Sequence, residues 1–211
     1  MLTHEFDRQV MNLIHKGYPA LAGFTSNAFI DHLEPLKQYI PDLTSATKTR
    51  LESHIPFILV VASEVVSAEA AMPLVTINGA SGSVRMDPVD STQFKPIKGL
   101  TLPNATAYLV VDIDTGRETL NVTPANALQQ ITQLGRSPLI IDEGVALALH
   151  FPDVLTDKKK FNCFSMLGSR RADRRVPAMW ISYGKPRLGW CWENNPHTWL
   201  GSASCRRRLG P

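Results

Sequence analysis

The sequence has no long hydrophobic run. Its longest, Phe57–Ala62, is six residues, against the roughly 18 that a membrane-spanning helix needs, so no such span is expected. The chain begins Met1-Leu2-Thr3-His4-Glu5-Phe6-Asp7, with no basic stretch leading into an apolar one. A secretory leader is therefore not expected, and the cytoplasm is the expected location. Cysteine is scarce: Cys163, Cys191 and Cys205 are the whole set, with no CxxC pair. That argues against a disulfide scaffold and against the familiar zinc fingers and ribbons, and makes reduced thiols the expectation. The acceptor patterns Asn104-Ala105-Thr106 and Asn121-Val122-Thr123 carry no weight in a chain that is not secreted. There is no GxSxG, and Gly79-Ala80-Ser81-Gly82-Ser83 has no Lys-Ser/Thr to make a P-loop. No internal repeat or low-complexity tract is visible, which argues against a solenoid.

What is present is apolar content and an uneven distribution of charge. Hydrophobic residues make up 44% of 211, enough for one sizeable core. The net charge of +3 conceals a polarity. Residues 1–157 hold 10 Lys and Arg against 17 Asp and Glu, a net −7, and residues 158–211 hold 12 against 2, a net +10. All four tryptophans and all three cysteines lie in the basic part.

Phe6, Val10, Leu13 and Ile14 keep helical spacing up to Gly17, which predicts a helix over residues 4–16. Ser26 is a candidate cap for a second, with the stripe Phe29, Leu33, Leu36, Ile40 and a kink at Pro35. Phe57–Val61, Leu74–Asn78 and Ala107–Ile113 read as strands, the last closed by the turn Asp114-Thr115-Gly116. Thr123-Pro124 starts a helix ending at Gly135, and Asp142-Glu143 starts another ending near His150. Ala178–Tyr183 and Leu188–Trp192 flank Gly184-Lys185-Pro186-Arg187, which predicts a hairpin with a four-residue connection. The Met179 face should be core, and the Trp180 face, with Gly189 and Cys191, is expected to leave room for a shallow site. The expected fold is α+β over residues 1–211 as one domain: a helical pair within 1–53, then 54–211 with a mainly antiparallel sheet, two mid-chain helices and a C-terminal β-hairpin.

Two constellations carry the functional expectations. Arg170, Arg171, Arg174 and Arg175 surround Asp173. Guanidinium groups pair planar or phosphate anions, and basic residues interleaved with tryptophan suit single-stranded nucleic acid. Neutralisation of the cluster by Asp173 and carboxylates of the acidic part is the structural alternative. The expected ligand-binding face therefore combines Arg170, Arg171, Arg174 and Arg175 with Trp192, Asn195, His197 and Trp199, for an anionic small molecule or a nucleic acid. The second is Cys191, His197 and Cys205, soft donors able to hold zinc or to make a Cys-His nucleophile oriented by Asn194 or Asn195. Their bland reading is buried thiols, and a module with no ligand is the third possibility. Arg206-Arg207-Arg208 adds to the basic character that suits single-stranded nucleic acid, or else is a solubilising tail. Asp112, Asp114 and Glu118 are not expected to hold a metal, Asp114 being placed to cap its turn.

At Gly17-Tyr18-Pro19, Asp112–Arg117, Ser137–Gly144, Asp173–Ala178, Gly189–Trp192 and Asn195–Cys205, over nearly the whole chain, the sequence resembles an uncharacterised bacterial family, a domain of unknown function. That resemblance implies one domain and brings no activity, ligand or catalytic residue.

Overall fold

The computed structural model describes residues 2–41, 43 and 53–211. Residues 42 and 44–52 of the expected helical segment lie outside the described residues. The fold is α+β. Helix Leu2–His15 buries Phe6, Val10 and Leu13, as its spacing predicts. After a short turn, Tyr18–Leu21, helix Ser26–Leu33 is capped by the Thr25 side chain, which accepts from the Ala28 amide. The cap is thus one residue earlier than expected. The Pro35 kink takes the form of a 3₁₀ segment, Glu34–Tyr39, and Phe29, Leu33, Leu36 and Ile40 are all buried.

The strands in chain order are β1 (His54–Val61), β2 (Thr76–Ile77), β3 (Ala80–Ser81), β4 (Ser83–Val84), β5 (Lys95–Pro96), β6 (Ala107–Asp114), β7 (Ser137–Pro138), β8 (Cys163–Ser165), β9 (Ser169–Arg170), β10 (Arg175–Ser182), β11 (Lys185–Trp192), β12 (Leu200–Ser202), β13 (Ser204–Cys205) and β14 (Arg207–Leu209). The first sheet runs β1-β6-β13-β7, with β14 also on β6, and the second runs β12-β8-β10-β11-β4. Among the described residues all strand pairs are antiparallel except β4 on β11 and β12 on β8. The expected strand Leu74–Asn78 is only Thr76–Ile77. A 3₁₀ turn, Met72–Leu74, with Pro73 near its start, precedes it, and positive φ at Asn78 and Gly79 reverses the chain at once into β3.

β1 and β6 are apolar and almost wholly buried. β1 is an edge strand, and side chains satisfy its outer backbone groups. The buried Gln9 amide donates to the Phe57 carbonyl at 3.1 Å and accepts from the Leu59 amide at 2.7 Å. His150 Nε2 meets the Leu59 carbonyl at 3.0 Å. Two helices thereby cover an edge that would otherwise template further pairing.

Helices Pro124–Gln133 and Ile141–His150 are where expected. Thr123 caps the first, accepting from the Asn126 amide, and Glu143 reaches back to the Ile140 amide at 2.9 Å in the second. The hairpin β10–β11 has a tighter turn than expected. Ser182 pairs with Lys185, so the connection is Tyr183-Gly184, both at positive φ (50° and 74°), as in a two-residue type I′ turn. The register moves by an even number of residues, so the expected face assignment survives. Met179 and Leu188 are core, but Tyr183 and Trp192 of the same face, expected to be core as well, are exposed, because they lie at the two ends of the hairpin. On the opposite face the room at Gly189 is filled: a Cβ there would lie 2.3 Å from the Trp180 ring, and Val176 packs with Ala127, Ile131 and Leu167. Among the described residues no helix is long and apolar enough to cross a membrane.

Candidate functional site

Ion pairs within the C-terminal segment engage the arginines of the expected face. Arg170, on β9, lies 3.2 Å from Glu193. Arg174, at φ 71°, lies 3.4 Å from the other oxygen of Glu193. Arg171 and Arg175 both pair with Asp173, and Arg171 also donates to Gln93 Oε1 at 2.8 Å. The two acids of the basic segment, Asp173 and Glu193, thus hold all four guanidinium groups. Arg175 further stacks on Trp190 and Trp192, 4.5 and 5.0 Å from their ring centres.

The aromatic residues separate as well. Trp192 pairs with Arg175, and Trp180 with Arg187, in the hairpin register, so strand alternation puts Trp192 and Trp180 on opposite faces. Trp199 packs edge-on against Trp180, with centroids 6.4 Å apart, and His197 lies 5.3 Å from Trp199. Trp192 and Trp199 are both exposed, yet they do not share a platform. Asn195 is exposed, and its amide donates to the Trp192 carbonyl.

Cys191, His197 and Cys205 are not assembled either. Among the described residues there is no group of three or more His, Cys, Asp or Glu side chains placed to hold a metal ion. Cys205 is buried in β13. His197 Nε2 is buried without a hydrogen-bond partner among the described residues. Burial pushes the Cys191 thiol up to about 11 and the Cys205 thiol up to about 12, and raises Cys163 too. A nucleophilic thiol needs the opposite shift.

Asp114 accepts from the Gly116 amide at 2.8 Å, as expected for a turn cap. Asp112, at φ 56°, binds His54 Nδ1 at 2.7 Å and Arg136 at 2.8 Å. Burial raises its carboxyl, but the hydrogen bonds from His54 and Arg136 outweigh it and bring the carboxyl down to about 2. The expected solubilising tail is a different object. β14 lies along β6, and Arg208 forms an ion pair with the fully buried Glu143. Only Arg206 and Arg207 are exposed.

The site that sequence reasoning missed is a cleft of about 480 Å³ at the N-terminal end of helix Ile141–His150. Ile140, Ile141, Asp142 and Tyr108 line it from within. Residues Ala62–Glu69 contribute to one part of its wall, and Ser91–Pro96 and Leu102–Ala105 to another. Its inner surface is hydrogen-bonded into place. Ser63 donates its amide to Asp142 Oδ2 at 2.8 Å, and the Ile141 amide donates to Ser169 Oγ at 3.0 Å. Ser91 donates to Glu69 at 2.5 Å. Tyr108 donates to Glu143 at 3.1 Å, just behind the cleft. Burial raises the Asp142 carboxyl above its ordinary value; the Ser63 hydrogen bonds oppose the shift and the neighbouring Glu143 adds to it. Asp142 makes no ion pair among the described residues, nor do Glu64, Glu69 or Lys95, the other charged groups of the cleft. The only sequence trace of the cleft is the Asp142-Glu143 pair, where one acid turns inward to Arg208 and the other lines the cleft.

No curated protein and no solved structure matches the chain. A family model does match, over residues 12–211, nearly the whole chain and in agreement with the resemblance carried by motifs from Gly17-Tyr18-Pro19 to Asn195–Cys205. The chain therefore belongs to DUF5701, a family of unknown function.

Proposed function

We propose that the protein binds a small organic molecule in the cleft at the head of helix Ile141–His150, with Asp142 as the anchoring group. The observation that carries this reading is Asp142 itself: a largely withdrawn carboxyl lining a cleft, with no cation beside it among the described residues. A volume of about 480 Å³ falls within the range of small-molecule sites, roughly 300–1,000 Å³. A shifted titratable group in such a cleft is a marker of binding or catalytic sites.

Two experiments test it. Asp142→Asn removes a buried charge that has no ion-pair partner among the described residues, while keeping an oxygen to accept from Ser63. It should raise stability by about 1 kcal/mol in urea unfolding, the pattern of a residue kept for function. A loss of stability would make the carboxylate a structural acceptor instead. In a fragment screen followed by amide NMR, the shifted signals should cluster at Ser63, Ser67, Ser91 and Ile141. A screen in which no fragment moves those amides overturns the reading.

Anion binding by the basic C-terminal part is the second reading, favoured by its net +10 and by Arg174, whose side chain is 71% exposed. The pairing of all four arginines with Asp173 and Glu193 weighs against it, because the two carboxylates halve the charge of the cluster and compete with any anionic ligand for its guanidinium groups. An Arg170→Ala/Arg174→Ala variant should accordingly elute from a heparin column at nearly the same salt concentration as the native protein. A large drop in that concentration would move the functional surface to the C-terminal face.

A further inference from the structure

We infer that the cleft selects an organic ammonium, its cationic group seated at Asp142 and its apolar part against Phe94 and Tyr108. This rests on the small-molecule reading above and adds the chemistry of the ligand. Charge supplies the sign. Among the described residues, Glu64, Glu69 and Asp142 face the cleft against one cation, Lys95, and none of the four is neutralised by an ion pair. A cleft lined by one sign of charge concentrates ligands of the other.

The helix end does not reverse that sign. A helix N-terminus attracts anions through its free amides, but here two amides at that end are already taken. Ile140 donates to Glu143 Oε2 and Ile141 to Ser169 Oγ. The favourable dipole is spent on the protein's own Asp142 and Glu143, leaving Asp142 as an acceptor for a ligand's donor.

The wall supports the same class. Phe94 and Tyr108 contribute aromatic surface for the ligand's apolar part. Ser67, Thr92 and Asn104 add neutral hydrogen-bonding groups, so the ligand's remainder can carry hydroxyl or amide functions.

The test uses three probes that share one ring: benzylamine, which is protonated at neutral pH, benzyl alcohol and benzoate. Binding to the full chain is followed by amide NMR and calorimetry. Benzylamine should move the amides of Ser63 and Ile141 and bind about tenfold more tightly than benzyl alcohol, with benzoate weakest. Asp142→Asn should bring benzylamine to the level of the alcohol. Glu64→Gln, at an exposed and unpaired position that poses no folding risk, should weaken benzylamine about twofold and leave the alcohol unchanged. If the alcohol binds as tightly as the amine, the cleft stands as a small-molecule site and the ammonium inference falls. Tightest binding of benzoate overturns the assigned sign. If none of the probes moves the cleft amides, both readings fall together. Benzylamine affinity untouched by both substitutions overturns the role given to the carboxylates.

Discussion

Replacing Arg208 with Met should cost about 3–5 kcal/mol in urea unfolding, because it leaves a fully buried carboxylate without its cation. Such a loss is a large part of the roughly 5–15 kcal/mol that holds a domain together. Glu143 is 0% exposed and the Arg208 side chain 5%. Their contact is a fork: Arg208 Nε donates to Oε1 at 2.5 Å and Nη2 to Oε2 at 2.8 Å. The same guanidinium donates to Ser137 Oγ at 2.7 Å and to the Pro138 carbonyl at 2.9 Å. Burial disfavours the Arg208 charge, and the hydrogen bonds and charge of Glu143 overcome that penalty, holding the guanidinium above its ordinary range. One side chain thus joins β14, β7 and the head of helix Ile141–His150. It lies directly behind the cleft, since Tyr108 lines the cleft and donates to the same carboxylate.

The double variant Arg208→Met/Glu143→Gln separates the charge from the packing. The glutamine oxygen can still accept from the Ile140 amide, and no uncompensated charge remains. At least half of the lost stability should therefore return. A loss below about 1 kcal/mol in the single variant would mean that water reaches Glu143 and that β14 is a loosely attached end.

The elements that the sequence revealed are those built from contiguous residues. The Phe6-Val10-Leu13 spacing, Thr123-Pro124, and the runs Phe57–Val61 and Ala107–Ile113 each carry their own periodicity or cap, and each element appears where it was expected. The hairpin faces were also legible, because an even register shift leaves side-chain alternation intact. The turn itself was not, because Tyr183 has none of the usual chemistry for positive φ and adopts it with its ring 93% exposed.

Polar partners are a different matter. Gln9 bonds a strand 48 residues away, Glu143 an arginine 65 residues away, and Asp142 an amide 79 residues back. No local pattern encodes such separations, so Arg208 read as part of a tail and Glu143 as a simple partner of the helix dipole. The cleft is harder still, since its walls come from several short segments that hold little regular structure. For the arginine cluster the composition named both possibilities, and only the coordinates of Glu193 and Asp173 decide how the charges pair.

The acid side of the stability profile should belong to His150. Its ring ends helix Ile141–His150 at 4% exposure, with both nitrogens in use. Asn12 Nδ2 donates to Nδ1 at 3.2 Å, and Nε2 donates to the Leu59 carbonyl at 3.0 Å, which is the neutral ring with its proton on Nε2. Burial pushes its pKa from 6.5 down to about 3; the Leu59 bond resists, while Arg8 and Lys16 assist against Glu5. The unfolded chain therefore takes up a proton near pH 6.5 and the folded chain only near pH 3. The contribution is complete above pH 6.5 and is lost progressively as the pH falls toward 3, by on the order of 5 kcal/mol in all. Asp142 acts in the opposite sense, since its raised carboxyl binds a proton in the folded state first. Asp112, lowered to about 2, adds to the loss only below the ordinary carboxylate range. Comparison with His150→Gln isolates the imidazole, because glutamine can still donate to Leu59 and accept from Asn12 but does not titrate. At pH 7 the variant should be less stable by about 1–2 kcal/mol. Between pH 7 and pH 4 the difference should move by about 3 kcal/mol in the variant's favour, so the two stability curves cross. Parallel curves over that range would mean that the folded protein already carries a charged His150, and that the edge of β1 admits water at the point where the two helices close over it.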